Sequence, residues 1–209
     1  MTLIDISRDL KEGMAVWPGD TPFNKRTIMS LAAGDVVNLT TLNMSAHTGT
    51  HVDAVSHFFA GGKEMEEMDL TLYWGKAQVV TVKKTSGPLY PEDFTGYDLG
   101  LAPRLLIHSQ ASHEDPNLFP DGYVYPSSQL ADFLLEKELI LYGTDAPSMD
   151  AVDSKTLEGH QSLRRANIAI LEGLDLSQVK DGLYELVALP LKIIGGDGSP
   201  VRAVLRTLK

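Results

Sequence analysis

The chain of 209 residues contains no cysteine. That absence excludes disulfides, a thiolate nucleophile and thiolate metal ligands, so any metal it holds must rest on histidine, aspartate and glutamate. Basic residues are also in deficit: 18 Lys and Arg face 28 Asp and Glu, a formal net charge of −10. Nucleic-acid binding depends on neutralising phosphates with Lys and Arg, and anionic membranes attract the same residues, so neither partner is expected. No run approaches the ~18 consecutive apolar residues of a membrane-spanning helix. The opening MTLIDISRDLKEGM has no basic stretch leading into a long apolar run, so it does not read as a secretory signal, and a cytoplasmic location is expected. There is no internal repeat, low-complexity tract or interdomain linker. The length and the 43% hydrophobic content suit one domain over residues 1–209.

Strand patterns outnumber helical ones. LIDIS (3–7) alternates apolar and polar residues, and VWPGDTPF (16–23) reads as a loop held by two prolines and a glycine. Residues 26–45 read as two strands about the turn AAGD, followed by strands at 77–84 and 104–109. The segment 115–138 begins as a turn-rich loop. It ends as a helix with Leu130, Phe133 and Leu134 on one face and Ser127 or Ser128 as cap. LILYG (139–143) and IAILEG (168–173) are short apolar runs of the kind found in buried strands. Between them, 153–166 reads as a helix capped by Asp153 or Ser154 and weakened by Gly159. A longer strand is expected over 183–194, with Pro190 implying an edge or bulge, and a turn over GGDGSP (195–200). VRAVLRTL (201–208) closes the chain. Strands that form hairpins and also alternate with helices imply a mixed α/β fold.

Histidine is scarce, yet three of the six fall in SAHTGTHVDAVSHF (45–58), as His47, His51 and His57, with Asp53 among them. A single histidine is most often a surface or satisfied core residue. Four ligand-type side chains at 4-2-4 spacing among small residues point instead to a metal such as zinc, manganese or iron. TGT is a poor helix former, so an extended segment is expected. His51 and Asp53 then share one side, and a bend at Gly49 brings His47 round to them. Asp53 has two oxygens with which to bridge two ions. Of the remaining histidines, His108 lies in an apolar strand and reads as core, and His113 lies in an exposed loop. His160, taken alone, reads as a surface histidine on a helix. Glu172 ends an apolar strand, where α/β folds place site groups, but a plain turn cap fits it equally.

HTGTHVDAVSHF resembles the H-x-G-T-H-x-D-x-x-x-H signature of the metal-dependent cyclase/formamidase family. LIDIS, VWPGDTPF, GTDAPSMD (143–150), DSKTLEGH, ILEGL and the closing YELVALPLKIIGGDGSPVRAVL extend the likeness over most of the chain, toward the bacterial arylformamidase (kynurenine formamidase) branch. The resemblance implies a compact α/β fold of the swivelling β/β/α, cyclase-like kind, and a homodimer. It implies two zinc ions per subunit, with manganese or another divalent ion as an alternative. His47, His51 and Asp53 would hold the first ion; Asp53, His160 and Glu172 would hold the second. His57 would be the catalytic acid/base, and Trp17 would touch the substrate. Asp145, after a buried strand, would shape the pocket or orient a ligand.

The implied reaction is hydrolysis of N-formyl-kynurenine to kynurenine and formate, in tryptophan breakdown. Metal-activated water suits an amide that neutral water does not attack. An imidazole with an ordinary pKa near ~6.5 can move a proton in either direction. Opening of a cyclic amide or lactone such as isatin uses the same metal motif and is the nearest alternative. A non-enzymatic metal-binding protein would not need His57. A serine hydrolase is disfavoured because no G-x-S-x-G elbow occurs, and GGDGSP lacks the Lys-Ser/Thr of a phosphate loop.

Overall fold

The computed structural model describes residues 2–208. In chain order its strands are β1 (Leu3–Asp5), β2 (Asn24–Met29), β3 (Leu39–Asn43), β4 (His51–Asp53), β5 (Trp74–Thr81), β6 (Gly87–Leu89), β7 (Arg104–His108), β8 (Val124–Pro126), β9 (Leu141–Thr144), β10 (Ala169–Glu172), β11 (Gly182–Val187), β12 (Gly198–Pro200) and β13 (Val204–Thr207). The α-helices are α1 (Ser128–Glu136) and α2 (Glu158–Arg165).

Nine strands form one mixed sheet in the order β1-β13-β11-β5-β7-β9-β10-β4-β12. β5, β7, β9 and β10 run parallel at its centre, and the strands outside them pair antiparallel. Parallel neighbours need a crossover. α1 precedes β9 and α2 joins β9 to β10. Period-two alternation sends Val79, Leu106, Leu141 and Leu171 to one face, and Val80, Leu105, Tyr142 and Ile170 to the other. On the second face Leu130 and Leu134 of α1 and Leu163 of α2 complete the core. On the first face it is closed by Val52, Tyr73, Leu186 and Leu205. Both faces are therefore dry, which is why these central strands read as nearly unbroken apolar runs.

α1 forms as its sequence predicts. Ser127 caps it, its Oγ accepting from the Leu130 amide at 3.1 Å, and Leu130, Ala131 and Leu134 make the buried face. Burying each leucine contributes about 1.5–3 kcal/mol. The hairpin expected over 26–45 is present as the β2–β3 ribbon, turning through Leu31–Ala33 and Gly34, whose φ is 97°. Among the described residues no helix is long and apolar enough to cross a membrane.

Four boundaries differ from expectation. β5 begins at Trp74, ahead of residue 77. α2 starts at Glu158, not at 153; Leu157 before it has φ 50°, outside the helical region, and Ser154 Oγ accepts from the Leu157 amide without capping the helix. Gly159 is no weak point there, because a Cβ at this position would lie 1.9 Å from the Met149 carbonyl oxygen. The glycine lets the first turn of α2 press against residues 149–150. The strand expected over 183–194 ends at Val187: Ala188 bonds to Tyr73, and beyond Pro190, which has no N–H, Leu191 and Ile194 are exposed. Finally, 195–200 is a turn only in part, since Gly198–Pro200 is β12 and pairs with β4 at the sheet edge.

Candidate metal centre and substrate cavity

Gly49 has φ +68°, a region that L side chains rarely adopt. The chain bends there and enters β4 as an extended segment. β4 lies between β10 and β12, and all three of its residues are buried. Val52 points into the core, so His51 and Asp53 point to the opposite side. The bend returns His47 to them: its Nδ1 lies 3.0 Å from Asp53 Oδ1, and its ring meets that of His51 edge-on at 5.0 Å. His51 Nδ1 lies 3.0 Å from the Gly49 carbonyl. A carbonyl only accepts, so the proton sits on Nδ1 and Nε2 is left bare toward the site.

The other half comes from distant sequence. Glu172, last residue of β10, pairs directly with His51 across the sheet. Its Oε2 is 3.3 Å from His51 Nε2 and its Oε1 is 3.6 Å from His160 Nε2. Asp53 stands between the two groups, Oδ1 at 3.5 Å from His51 Nε2 and Oδ2 at 3.4 Å from His160 Nε2. His160, delivered by α2, is buried and is not the surface residue its position alone suggested. Two ligand-like trios result, His47–Asp53–His57 and His51–Asp53–Glu172, with Asp53 common to both.

Seven buried side-chain N or O atoms lack a hydrogen-bond partner among the described residues, and three of them, His47 Nε2, Asp53 Oδ2 and Glu172 Oε1, meet here. His47 Nε2 does lie 3.3 Å from Asp197 Oδ2, though not in hydrogen-bonding geometry. Each orphaned atom costs about 1–3 kcal/mol, so three around one carboxylate are poorly explained by packing and well explained by a cation. The electrostatics agree. Burial works against charge on His47 and His160, yet carboxylates outweigh it. Asp53 and Asp197 push His47 up to about 9, and Asp150 and Asp53 push His160 up to about 10. His51 is also raised, against its burial, by Glu172 and Asp53. Asp53 is lowered: burial opposes this, but His160 and His47 prevail. The residues fit divalent metal ions held by imidazole and carboxylate.

His57 occupies a single turn, Val55–His57, with its side chain 35% exposed. Its ring lies 4.0 Å from that of His47, tilted by 33°, and its Nδ1 is 3.5 Å from Asp197 Oδ2. The sequence reading missed Asp197, which sits between two glycines in a segment read as a turn. Gly198 has a structural reason that no turn supplies: a Cβ there would come within 2.6 Å of the His47 ring.

The two aspartates of GTDAPSMD divide the tasks that the resemblance left with Asp145. Asp145 accepts from the amides and hydroxyls of Ser109 and Ser112 at 2.6–3.1 Å, which ties down the 109–112 loop at the cavity wall. Asp150, also missed, orients a ligand candidate. Its Oδ2 accepts from His160 Nδ1 at 2.6 Å and from the His160 amide at 3.1 Å, and its Oδ1 accepts from the Gly159 amide at 2.7 Å. It therefore caps α2 and fixes the His160 tautomer at once.

A cavity of about 470 Å³ opens over these groups. Trp17, 37% exposed, forms its apolar wall with Phe119, the rings edge-to-face at 5.4 Å. The Ala15 amide bonds to the Pro116 carbonyl at 3.0 Å and joins the two loops. Phe119 carried no sequence signal beyond its place in a turn-rich loop. His108 is buried beside His113, Nε2 to Nε2 at 3.2 Å, and neither reaches the centre.

Comparison with known proteins agrees with this geometry. Residues 4–151 match the Cyclase family, described as "Putative cyclase". The kynurenine formamidase of Bacillus mycoides is 42% identical over 205 residues, 98% of this chain and 97% of that protein. The kynurenine formamidase of Geobacillus thermodenitrificans is 43% identical over the same shares. A solved "predicted metal-dependent hydrolase" from Bacillus stearothermophilus superposes with a TM-score of 0.82 at 27% identity, covering 98% of this chain and 97% of that one. Isatin hydrolase A from Labrenzia aggregata shares the fold, with a TM-score of 0.83 at 24% identity and coverage of 98% and 93%. The chain belongs to the cyclase family, and within that family to the kynurenine formamidases.

Proposed function

We propose that this chain, acting as a single domain, hydrolyses N-formyl-kynurenine to kynurenine and formate. The observation that carries the reading is the convergence of His47, His51, Asp53, His160 and Glu172 at the base of an aromatic-walled cavity, in a chain 42% identical to kynurenine formamidases. Two divalent ions are assigned, zinc first, with His47, His51 and Asp53 on one and Asp53, His160 and Glu172 on the other. When bound, such ions supply acidified water, at a pKa of about 7, and polarise a carbonyl.

The protein's own groups do the rest. Trp17 and Phe119 hold the flat aryl ring against the wall. Asp197 lies 3.5 Å from His57 Nδ1 on one side of the ring, and Nε2 on the other has no partner among the described residues. From that position His57 takes a proton from the attacking water and returns one to the arylamine nitrogen as the C–N bond breaks. Asp150 and the Gly49 carbonyl hold the His160 and His51 tautomers, keeping both Nε2 atoms available.

The test follows kynurenine absorbance with protein as isolated, after chelation and after zinc is restored, beside isatin as substrate. Activity on N-formyl-kynurenine that falls with chelation and returns with zinc supports the reading; turnover of isatin alone overturns it. His57→Ala is expected to lower kcat about 10²–10⁴-fold, the usual share of a proton-transfer group, with metal content unchanged. The same reading assigns a homodimer. The β2–β3 ribbon supports it by leaving Ile28, Leu31, Val37 and Leu42 exposed, and light scattering tests it.

A further inference from the structure

The cavity wall is strongly acidic. Asp9, Asp20, Glu114 and Asp115 line it together with the carboxylates of the centre. Against them stands a single guanidinium, Arg8, the one Lys or Arg among the lining residues. Such a cation would be expected to pair with one of these carboxylates, and it does not. Among the described residues no carboxylate oxygen lies within ion-pair distance of Arg8. Its Nη2 donates to the carbonyls of Ala111 at 3.1 Å and Asp145 at 3.0 Å, and its backbone amide donates to Thr50 Oγ1 at 2.8 Å. Among the described residues Nε and Nη1 donate to nothing, and neither is a buried orphan.

The tethers account for where Arg8 sits. Thr50 adjoins His51, and Ala111 and Asp145 belong to the loop pair at the cavity wall, so the guanidinium is held at the site and cannot swing to the surface without breaking both bonds. They use both Nη2 protons and leave Nε and Nη1 as separate single donors. Either open N–H can give a carboxylate one charge-assisted hydrogen bond, and a partly desolvated setting strengthens it.

We propose that Arg8 is a positioning residue that receives the α-carboxylate of an amino-acid substrate, and so sets the specificity of the cavity for formylated arylamines that carry a carboxylate tail. The acidic rim then faces the α-ammonium of the same tail. The aryl ring lies on the Trp17–Phe119 wall, and three points of contact orient the formamide toward His57. This inference rests on the formamidase reading and names the part of the substrate that the metal centre does not touch.

The test compares two substrates that differ in one group. One is the desamino analogue of N-formyl-kynurenine, which keeps the carboxylate; the other is ortho-formamidobutyrophenone, in which a methyl replaces it. The zinc-loaded wild type is expected to prefer the acid in kcat/KM by about 10–100-fold, the worth of one charge-assisted pair. Arg8→Gln is expected to abolish most of that preference, raising KM for the acid while kcat/KM for the ketone stays within about twofold. Arg8→Lys, which keeps the charge but not the planar guanidinium that the two carbonyls hold in place, should fall between them. A merely structural Arg8 would lower both substrates equally, and that result overturns the proposal. So does a wild type that treats acid and ketone alike, a result that needs no variant to fold. Failure of the wild type to cleave either compound or N-formyl-kynurenine itself would instead overturn the formamidase reading.

Discussion

Replacing Asp150 by asparagine would separate what the carboxylate does for α2 from what it does for His160. Asp150 is 3% exposed and accepts three N–H groups: those of the Gly159 and His160 amides and the His160 ring Nδ1. Asparagine keeps the volume, but its one oxygen can take only one of the two places: that of Oδ1, which serves the Gly159 amide, or that of Oδ2, which serves both the His160 amide and its ring. Its nitrogen, however, donates where an oxygen had accepted. With the nitrogen toward His160 the ring must give up its Nδ1 proton and carry it on Nε2, the atom that faces Asp53 and Glu172; with the oxygen there the tautomer survives, but the charge is lost and the Gly159 amide has no acceptor. Loss of such an outer partner typically weakens metal binding about 10–100-fold, or about 1.4–2.7 kcal/mol. The metal-free protein should lose about 1.5–3 kcal/mol with the charge-assisted bond. The pH dependence has a definite sign. His160 is pushed up to about 10 in the folded chain from an ordinary 6.5, burial opposing and Asp150 prevailing. Its contribution to stability is full below the ordinary value and is lost as pH rises toward 10. Without the carboxylate the folded value falls, so the loss still starts at the ordinary value but is smaller and is complete at a lower pH. Competition with a chromogenic chelator reads the affinity, and urea unfolding between pH 6 and 10 reads the stability. If Asp150→Asn binds two ions as tightly as the wild type, the orienting role assigned to Asp150 is wrong.

Two further outcomes follow from the same geometry. Gly198→Ala places a Cβ within 2.6 Å of the His47 ring and 2.9 Å of its Nε2, at a position with an unstrained backbone; metal affinity should fall more than unfolding stability, and the reverse order in a chelator titration and a urea melt would contradict the role of this glycine. Metal binding at pH 7 should release about one proton each from His47 and His160, because these rings, pushed up to about 9 and about 10, hold protons in the metal-free protein and a metal ligand cannot; His51, also raised, adds to the release. Calorimetry in two buffers of different ionisation heat counts them, and a value near zero would show that these histidines are not the ligands.

The parts of this site that sequence revealed are those where chemistry and chain geometry are local. His47, His51 and Asp53 meet because one glycine bends an otherwise extended segment, and both the bend and the period-two alternation can be read from seven residues. The central strands were legible for a similar reason: burial on both faces leaves an apolar run whatever the neighbours are. Glu172 and His160 had ordinary alternatives until the sheet set Glu172 opposite His51 and α2 turned His160 inward, and local pattern carries no information about either event. Resemblance to a family supplied them because a family records the outcome of folding. The residues missed altogether act one step behind the ligands. Asp150 caps α2 from outside the helix pattern, so the helix was expected to begin at Asp153 or Ser154, where a cap-type residue stood ready. Asp197 reaches His47 and His57 because the edge strand β12 pairs with β4, far away in the chain, a pairing that a two-glycine segment does not advertise. Gly159 and Gly198 look like flexibility in a sequence. In the fold each marks a close approach, to a carbonyl and to an imidazole, at a backbone conformation any residue could adopt. A glycine kept for space is indistinguishable from one kept for a turn until the neighbour that needs the space is in place. The second layer of a metal centre, which sets tautomer and approach, is thus the layer that sequence hides most completely.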